Sequence, residues 1–305
     1  MLKGIVIAGP TAVGKTGISL KLAKILGAEI ISADSAQVYR GLDIGTAKIT
    51  AEERKGIPHH MIDIAEPTEK YSVGAYLNAV SGILREKEKE GKPVLVVGGT
   101  GLYIDAVTEG LAELPPGDPE LRASFSTVGT EGLYRQLSEK DPEAARLIHP
   151  NNRKRIVRAL EVCLLTGNLF SVLSRQNVKK HRYVFQKYAL KMERPALYGR
   201  IEARVDRMLT EGLIEEARGL YKKYPFTLRE LNVIGYSEML DYLDGLLPLK
   251  EAVAKIKKNS RHYAKRQFTW FKNDPGYGWY DCGRLKEEEI AEDILKKFEN
   301  VKLDT

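Results

Sequence analysis

Residues 3–16 read KGIVIAGPTAVGKT, and this stretch decides the fold. Its last eight residues have the spacing G-x-x-x-x-G-K-T, in which glycines let backbone N–H groups turn inward on phosphate oxygens. An apolar run precedes them and helical spacing follows, so we expect a strand, a phosphate-binding loop (the P-loop) and a helix. The residues of the P-loop are Gly9, Pro10, Thr11, Ala12, Val13, Gly14, Lys15 and Thr16.

The P-loop predicts a bound diphosphate or triphosphate, without deciding between the two. Lys15 would place its charge on the distal phosphate, and Thr16 would offer its hydroxyl to Mg²⁺. The expected cofactor is therefore Mg²⁺.

Strands and helices alternate over the first hundred residues. Strands are expected at 2–8, 29–33, 60–65 and 93–97, and helices at 17–26 and 72–90. This alternation is typical of an α/β fold with a parallel sheet covered by helices. The turn-forming cluster LPPGDP at 114–119 interrupts it, and helical periodicity dominates afterwards. We expect a P-loop core over 1–110, a mainly helical insertion over 111–190 and a return to the core over 191–305.

Composition excludes several classes of protein. Two cysteines are too few for a disulfide framework or a zinc site. No run approaches the ~20 apolar residues that a membrane span needs, and the apolar N-terminal stretch leads directly into the P-loop. We expect a cytoplasmic protein with no membrane partner, working as a monomer.

The net charge of +7 is unevenly distributed along the chain. Residues 150–200 hold twelve Lys and Arg against two acidic residues, and residues 255–272 hold seven against none. These two segments carry +17, so the remaining residues carry −10. In the second segment the sequence KRQFTWFK (265–272) interleaves basic and aromatic side chains. Such segments favour a polyanionic partner whose phosphates and bases contact both kinds of side chain.

A carboxylate is missing where many P-loop proteins hold their metal ion. The strand expected at 93–97 ends in Gly98-Gly99-Thr100 instead. The nearest candidate is Asp34, which follows the second strand at the sheet edge where ligands bind. Three roles remain open for Asp34: a metal ligand, a general base, or the residue that caps its own turn.

Nine blocks of sequence carry a family resemblance. They are GPTAVGKT (9–16), EIISADSAQVYRGLDIGTAK (29–48), HHMIDI (59–64), VGGTGLY (97–103), LPPGDPELR (114–122), IHPNNRKRIVRALEV (148–162), RIEARVDRML (200–209), IGYSE (234–238) and RHYAKRQFTWFK (261–272). Through these blocks, which span nearly the whole chain, the sequence resembles the bacterial tRNA dimethylallyltransferases, the tRNA isopentenyltransferase family.

The resemblance implies transfer of a dimethylallyl group from dimethylallyl diphosphate to N6 of adenine 37, in the anticodon stem-loop of tRNA. It implies that the P-loop holds the diphosphate and that Asp34 takes the N6 proton. Thr11, Lys15 and Arg204 would attend the diphosphate, Thr16 its Mg²⁺, and Thr100 the adenine. The positions implied to contact tRNA are Asp34, Ser35, Ala36, Gln37, Thr100, Arg122, Lys154, Arg155, Ile156, Val157, Arg158, Lys265, Arg266, Gln267, Phe268, Thr269, Trp270, Phe271 and Lys272.

Three rival functions share some of these features. An adenylate isopentenyltransferase would carry out the same chemistry on free AMP or ADP, but would not need the two basic segments. A P-loop kinase acting on a small metabolite would not need the helical insertion. In a non-catalytic RNA-binding protein with a nucleotide site, Asp34 and Thr100 would be incidental.

Overall fold

The computed structural model of the chain describes residues 3–178 and 181–300. Leu2, which the sequence analysis includes in the first strand, lies outside the described residues, as do Lys179 and Lys180 of the first basic segment. The described chain forms two compact units. Residues 3–108 and 181–300 make up one, here called the core unit, and residues 109–178 make up the other, here called the insertion.

The strands belong to two sheets. They are β1 (Lys3–Ala8), β2 (Glu29–Ala33), β3 (His59–His60), β4 (Val94–Gly98), β5 (Leu111–Ala112), β6 (Asn177–Val178), β7 (Val184–Lys191) and β8 (Tyr277–Asp281). Six of them form a parallel sheet in the core unit, in the order β3-β2-β4-β1-β7-β8. In the insertion, β5 and β6 form a short antiparallel pair.

Helices make up most of the remaining described chain. They are α1 (Lys15–Leu26), α2 (Val73–Glu90), α3 (Gly101–Thr108), α4 (Pro119–Ser124), α5 (Thr130–Lys140), α6 (Pro142–Leu147), α7 (Arg153–Thr166), α8 (Phe170–Leu173), α9 (Arg194–Thr210), α10 (Leu213–Lys223), α11 (Thr227–Leu231), α12 (Tyr236–Leu243), α13 (Leu249–Lys272) and α14 (Glu287–Asn300). None of these described helices is long and apolar enough to cross a lipid bilayer.

The middle of the sheet forms the core and fixes the place of the P-loop. Ile5, Val6, Ile7 and Ala8 of β1 have no exposed surface. A strand buried on both faces is what helices on both sides of a parallel sheet produce, and it explains the continuous apolar run. β1 lies between β4 and β7, so the loop that follows it emerges at the centre of the carboxyl edge. The expected α/β fold with its parallel sheet is confirmed.

The end of the insertion differs from the expected boundary at residue 190. Residues 181–190 belong to the core unit, because β7 pairs with β1 along its length, from Lys3 opposite Val184 to Ala8 opposite Ala189. The third expected strand, at 60–65, is also shorter. It ends at His60 because Met61 and Asp63 take left-handed φ angles of 65° and 56°, which an extended strand cannot contain.

The insertion has its own apolar core and a buried carboxylate. Leu133 and Leu137 of α5 pack with Ile156 and Leu160 of α7. Beside this core, the fully buried Glu161 receives hydrogen bonds from Arg122 Nε at 2.7 Å, Arg158 Nη1 at 2.5 Å and the backbone N–H of Asp118 at 2.8 Å. Burial alone would raise the pKa of Glu161, but these hydrogen bonds outweigh it and lower the pKa to about 2.

Four side chains that the resemblance implies to contact tRNA make contacts within the insertion itself. Ile156 is fully buried in the core of the insertion, and Val157 packs partly buried against that core. The guanidinium groups of Arg122 and Arg158 bind Glu161, and Arg158 Nη2 also donates to the Pro115 carbonyl at 2.6 Å. For Ile156 the expected surface contact is wrong, because apolar periodicity turns its side chain inward. Lys154 and Arg155 of the same helix are exposed.

We predict that Glu161→Ala destabilises the insertion by about 3 kcal/mol, because two cations and a backbone N–H lose a buried acceptor. Amide hydrogen exchange in α4 and α7 would measure this loss. Glu131→Ala, at an exposed site of α5, should change protection by less than about 0.5 kcal/mol. Since folding lowers the pKa of Glu161, its contribution is present above about pH 4.5 and is lost as pH falls towards 2. Equal protection in the two variants would contradict this account.

Candidate active site at the carboxyl edge of the sheet

The P-loop has a strained backbone, and its lysine folds back on the loop. Gly14 has a φ of 110°, open only to glycine without strain, and Ala12 takes the left-handed φ of 64°. A non-glycine residue in that region costs on the order of 1 kcal/mol, and such strain is typical of ligand-binding loops. Lys15 Nζ donates to the carbonyls of Gly9 at 2.9 Å and Pro10 at 2.8 Å.

Two cations share the wall beside this loop. Burial lowers the pKa of Lys15 to about 8, with Asp34 opposing the shift and Arg204 adding to it. Burial likewise lowers the pKa of Arg204, again against the opposing effect of Asp34. Two desolvated cations side by side are unfavourable without an anion, so this wall is suited to a negatively charged ligand.

Arg204 reaches the P-loop from α9, almost two hundred residues away in the chain. Its Nη1 donates to the Thr11 hydroxyl at 2.8 Å, and its Nη2 donates to the Thr46 carbonyl at 2.8 Å. The structure thus brings Thr11, Lys15 and Arg204 together, as the resemblance implies. From the residues alone, an arginine on an amphipathic helix would have been taken for a surface charge.

Asp34 follows β2 and closes a turn with its own carboxylate. Its Oδ1 accepts hydrogen bonds from the backbone N–H groups of Ala36 at 2.9 Å and Gln37 at 3.3 Å. The capping role considered for Asp34 is therefore present, and both bonds end on the same carboxylate oxygen. The side chain is half-buried and lines the same cavity as Lys15 and Arg204.

Thr100 joins the turn after β4 to the turn after β2. Its hydroxyl accepts a hydrogen bond from the Ser35 N–H at 3.0 Å, and its own N–H donates to the Ala33 carbonyl at 3.0 Å. Close approach requires glycine at position 98, where a Cβ would lie 2.1 Å from the Ala33 oxygen. Thr100 therefore positions the Asp34 turn.

The segment after the turn is held by residues that sequence reasoning missed. Glu216 of α10 accepts backbone hydrogen bonds from Asp43, Ile44 and Gly45 at 2.9 to 3.2 Å, and the Tyr236 hydroxyl also donates to it. These contacts fix the GLDIGTAK stretch, whose Thr46 carbonyl receives Arg204. Nothing in the sequence around Glu216 marks it as an acceptor for a loop 170 residues earlier.

Tyr263 of α13 is a second missed residue. It lines the cavity with Asp34 and Gln267, and burial raises the pKa of its hydroxyl to about 12. A helical period places Tyr263 one turn before Gln267, on the same inward face, and this spacing is the signal that could have found it.

The KRQFTWFK segment lies on α13 and is divided by the helical period. Gln267 is nearly buried and Phe271 fully buried, while Phe268 is half-buried against Trp279 at 5.4 Å between ring centroids. Phe271 therefore cannot contact an RNA on the surface, contrary to expectation. The remaining members of the segment are exposed: Lys265, Arg266, Thr269, Trp270 and Lys272.

Three of the seven basic residues in 255–272 bind acidic side chains from neighbouring helices. Lys255 pairs with Asp241 at 2.8 Å, Lys257 with Asp206 at 2.6 Å and Arg261 with Glu202 at 2.5 Å. These pairs join α13 to α9 and α12. The absence of acidic residues within the segment therefore overstated the free positive charge of this helix.

Several of these side chains, from the P-loop, the Asp34 turn, α9 and α13, line one cavity of about 810 Å³ in the core unit. One wall carries the P-loop and Arg204, another carries the Asp34 turn, and α13 provides Tyr263 and Gln267. Apolar side chains of α9 and α13 complete the lining: Ile201, Val205, Met208 and Ile256. The cavity thus combines an anion-binding wall, a carboxylate and an apolar region.

The described residues hold no cluster of three or more His, Cys, Asp or Glu side chains that could bind a metal ion by themselves. Magnesium in phosphate sites takes one or two protein ligands, with phosphate oxygens and water completing the shell. Thr16 fits that pattern, since it is exposed beside the P-loop at the start of α1. The donor set suits Mg²⁺ that arrives with a diphosphate.

Comparison with known proteins gives one family. The family model described as IPP transferase matches residues 37–274, and that described as isopentenyl transferase matches residues 3–66. The tRNA dimethylallyltransferase of Fusobacterium nucleatum is 53% identical over 300 residues, covering 98% of both chains. That of Bacillus subtilis is 42% identical over 305 residues, covering 97% of both.

Solved structures agree with this result. The tRNA isopentenylpyrophosphate transferase of Bacillus halodurans has a TM-score of 0.74 at 45% identity, over 98% of this chain and 97% of that one. A eukaryotic dimethylallyltransferase acting on tRNA has a TM-score of 0.85 at 27% identity, over 100% of this chain and 81% of that one. With its P-loop, its parallel sheet and relatives matched over nearly their full length, this chain belongs to the IPP transferase family.

Proposed function

We propose that this protein transfers a dimethylallyl group from dimethylallyl diphosphate to N6 of adenine 37 in the anticodon stem-loop of tRNA, releasing diphosphate. The observation that carries the proposal is one cavity that holds both an anion-binding loop and a carboxylate, in a chain whose relatives are named tRNA dimethylallyltransferases. Such a reaction uses no ATP hydrolysis, which suits a P-loop site without a carboxylate at the end of β4.

The anion-binding wall would hold the diphosphate and stabilise it as it leaves. Negative charge grows on the bridging oxygen when the allylic carbon–oxygen bond breaks, and preorganised donors stabilise that charge. Lys15 would exchange the carbonyls of Gly9 and Pro10 for phosphate oxygens, and Arg204 would bind further phosphate oxygens from the same wall. Mg²⁺ on Thr16 would supply further charge neutralisation when bound.

Asp34 would act as the general base on the other side of the cavity. An exocyclic amine gains positive charge as it attacks carbon, so its proton must go to a nearby acceptor. The turn bonds occupy Oδ1 of Asp34, so Oδ2 is the oxygen we assign to the proton. The adenine must leave its stack to reach a cavity of this kind, and unstacking costs least in a single-stranded loop.

The exposed basic and aromatic side chains would bind the RNA. On α13 these are Lys265, Arg266, Thr269, Trp270 and Lys272, and on the insertion Lys154 and Arg155. Ser35, Ala36 and Gln37 lie beside Asp34 and would contact nucleotides next to the reacting base. We expect the protein to act as a monomer in the cytoplasm, where its tRNA is found.

The function is tested by supplying dimethylallyl diphosphate and Mg²⁺ with either an unmodified tRNA containing adenine 37 or free AMP. We expect N6 prenylation of the tRNA and none of AMP. Prenylation of AMP with no reaction on tRNA would identify an adenylate isopentenyltransferase instead, and no prenylation of either would remove the proposal.

The Asp34→Asn variant distinguishes the role of Asp34 as a general base from its role in capping its own turn. An asparagine oxygen can still accept the hydrogen bonds from Ala36 and Gln37, but it cannot take a proton. We predict that kcat falls about 10²- to 10⁴-fold while the Kd for tRNA changes by less than about threefold. Single-turnover prenylation and filter binding measure the two quantities. A variant with nearly normal kcat would leave Asp34 only its capping role.

Lys15 predicts a pH dependence of diphosphate binding. Its pKa is lowered to about 8 in the free protein, so the charged form that an anion needs disappears as pH rises through 8. The Kd of dimethylallyl diphosphate should be nearly constant between about pH 7 and 8, where the diphosphate is fully ionised, and should rise by up to about tenfold per unit above that range. Lys15→Met should bind more weakly, with a flat profile between pH 7 and 9. Parallel profiles for the two proteins, measured by calorimetry, would contradict the assignment.

Salt dependence tests which cations of the insertion meet RNA phosphates. Each neutralised phosphate contributes about 0.7 to 0.9 to the slope of log K against log salt. The double variant Lys154→Ala/Arg155→Ala should therefore lower the magnitude of the slope for tRNA by about 1.4 to 1.8. The control Lys250→Ala removes an exposed lysine of α13 outside the basic segment and should leave the slope unchanged. An unchanged slope in the double variant would exclude these two residues from phosphate contact.

A further inference from the structure

Gln267 joins three segments that are far apart in the chain. Its Oε1 accepts a hydrogen bond from the backbone N–H of Thr11 at 2.9 Å, and its Nε2 donates to the Gly99 carbonyl at 3.0 Å. The side chain is 6% exposed, so the carboxamide is desolvated and both of its ends have partners. A single amide on α13 thus connects the P-loop to the turn after β4.

The Thr11 contact gives this amide influence over the anion-binding wall. Thr11 is held from one side by Gln267 at its N–H and from the other by Arg204 at its hydroxyl. Its neighbour Ala12 has a left-handed φ of 64°, a conformation that persists only where surrounding contacts fix it. Displacing Gln267 would remove one of the two contacts that hold Thr11 beside the strained residue.

The solvent-exposed side of α13 carries cations close to the same residue. Lys265 and Arg266 immediately precede Gln267, and Thr269 and Trp270 follow within one turn. Because these exposed side chains and the Gln267 amide belong to the same turns of one helix, a polyanion bound on the outer face would act on the element that carries the amide.

Gly99 leaves the space that the Gln267 carboxamide occupies. A Cβ at residue 99 would lie 2.0 Å from Gln267 Nε2, so even a methyl group there would push the amide aside. The φ of Gly99 is outside the left-handed region, so alanine can adopt this backbone conformation, although its Cβ would also lie 3.3 Å from the Gly9 carbonyl oxygen. The space for Gln267 is therefore a second, independent reason for a glycine in the VGGTG sequence.

The geometry points to Gln267 as a positioning residue that couples the RNA-binding face of α13 to the diphosphate loop. RNA bound on the outer face would hold α13, and through Gln267 it would fix Thr11 in the conformation that binds the diphosphate. This inference rests on the proposed function for the identity of the RNA, but it concerns binding and can be tested without turnover.

The test measures the Kd of pyrophosphate with Mg²⁺ by calorimetry, with and without a saturating anticodon stem-loop RNA that contains adenine 37. In the unmodified protein we expect the RNA to tighten pyrophosphate binding at least about fivefold, the low end of ordinary coupling between sites. In Gln267→Met, which keeps the volume of the side chain but removes both hydrogen bonds, the RNA effect should fall below about twofold. Gly99→Ala, which displaces the amide without altering α13, should give the same loss.

Two controls separate positioning from general destabilisation. Ile294→Val removes a buried methylene from α14 and should lower the melting temperature while leaving the RNA effect intact. Glu251→Gln changes an exposed site in the first turn of α13 and should change neither quantity. With dimethylallyl diphosphate, Gln267→Met should raise KM more than it lowers kcat, a division that loss of folded protein would not produce.

Three results would overturn the inference: no effect of RNA on pyrophosphate binding in the unmodified protein, a fivefold effect retained in Gln267→Met, or the same loss in Ile294→Val. Failure of the proposed function would look different. In that case the unmodified protein would not prenylate tRNA, whatever the binding experiment showed.

Discussion

The site in the core unit depends on two cations, Lys15 and Arg204, that are desolvated together on one wall of a cavity. Lys15 and Arg204 both have their pKa lowered by burial, and the charge of Asp34 offsets this only in part. The protein holds them there through carbonyls of Gly9, Pro10 and Thr46, which accept hydrogen bonds without contributing a full negative charge. An anion on a wall of this kind would offset the desolvation of both cations, so the fold favours the binding of a negatively charged ligand there.

The parallel sheet supplies the geometry for that constraint. β1, β2 and β4 are neighbours, so the P-loop, the Asp34 turn and the Gly98-Gly99 turn meet at one edge although they are separated by tens of residues. Gly14 is required by its φ angle, and Gly98 is required by the close approach of the Ala33 carbonyl. Because only glycine meets these requirements, the sequence marks this edge of the sheet clearly. Lys15 comes from the junction of β1 and α1, Arg204 comes from the remote helix α9, and the carboxylate of Asp34 follows β2. No single loop could set the distance between the two cations and the Asp34 carboxylate.

The features of the fold and site that could be predicted are those whose sequence signal lies in adjacent residues. The strand before the P-loop and the helix over 72–90 were predictable, because a buried apolar run, helical periodicity and a glycine at the helix end are features of adjacent residues. The contacts between residues of distant elements could not be predicted. Glu216 under the 43–45 loop and Glu161 between two arginines depend on which helices pack together, and a single sequence carries no mark of that. The boundary at residue 190 was wrong for the same reason, since only pairing with β1 assigns β7 to the core unit.

The basic segments show how a linear motif is divided once it folds. Read along the chain, residues 255–272 form one cationic run, but its two halves have different surroundings in the folded helix. In the first half Lys255, Lys257 and Arg261 neutralise carboxylates of α9 and α12 and thereby hold α13 in place. In the second half Lys265 and Arg266 are exposed to solvent. Net charge alone therefore cannot measure affinity for RNA, because part of it fastens the helix that presents the rest. The same helix needs both sets of side chains, since a cation can direct an RNA towards the cavity only if the element that carries it is fixed to the P-loop.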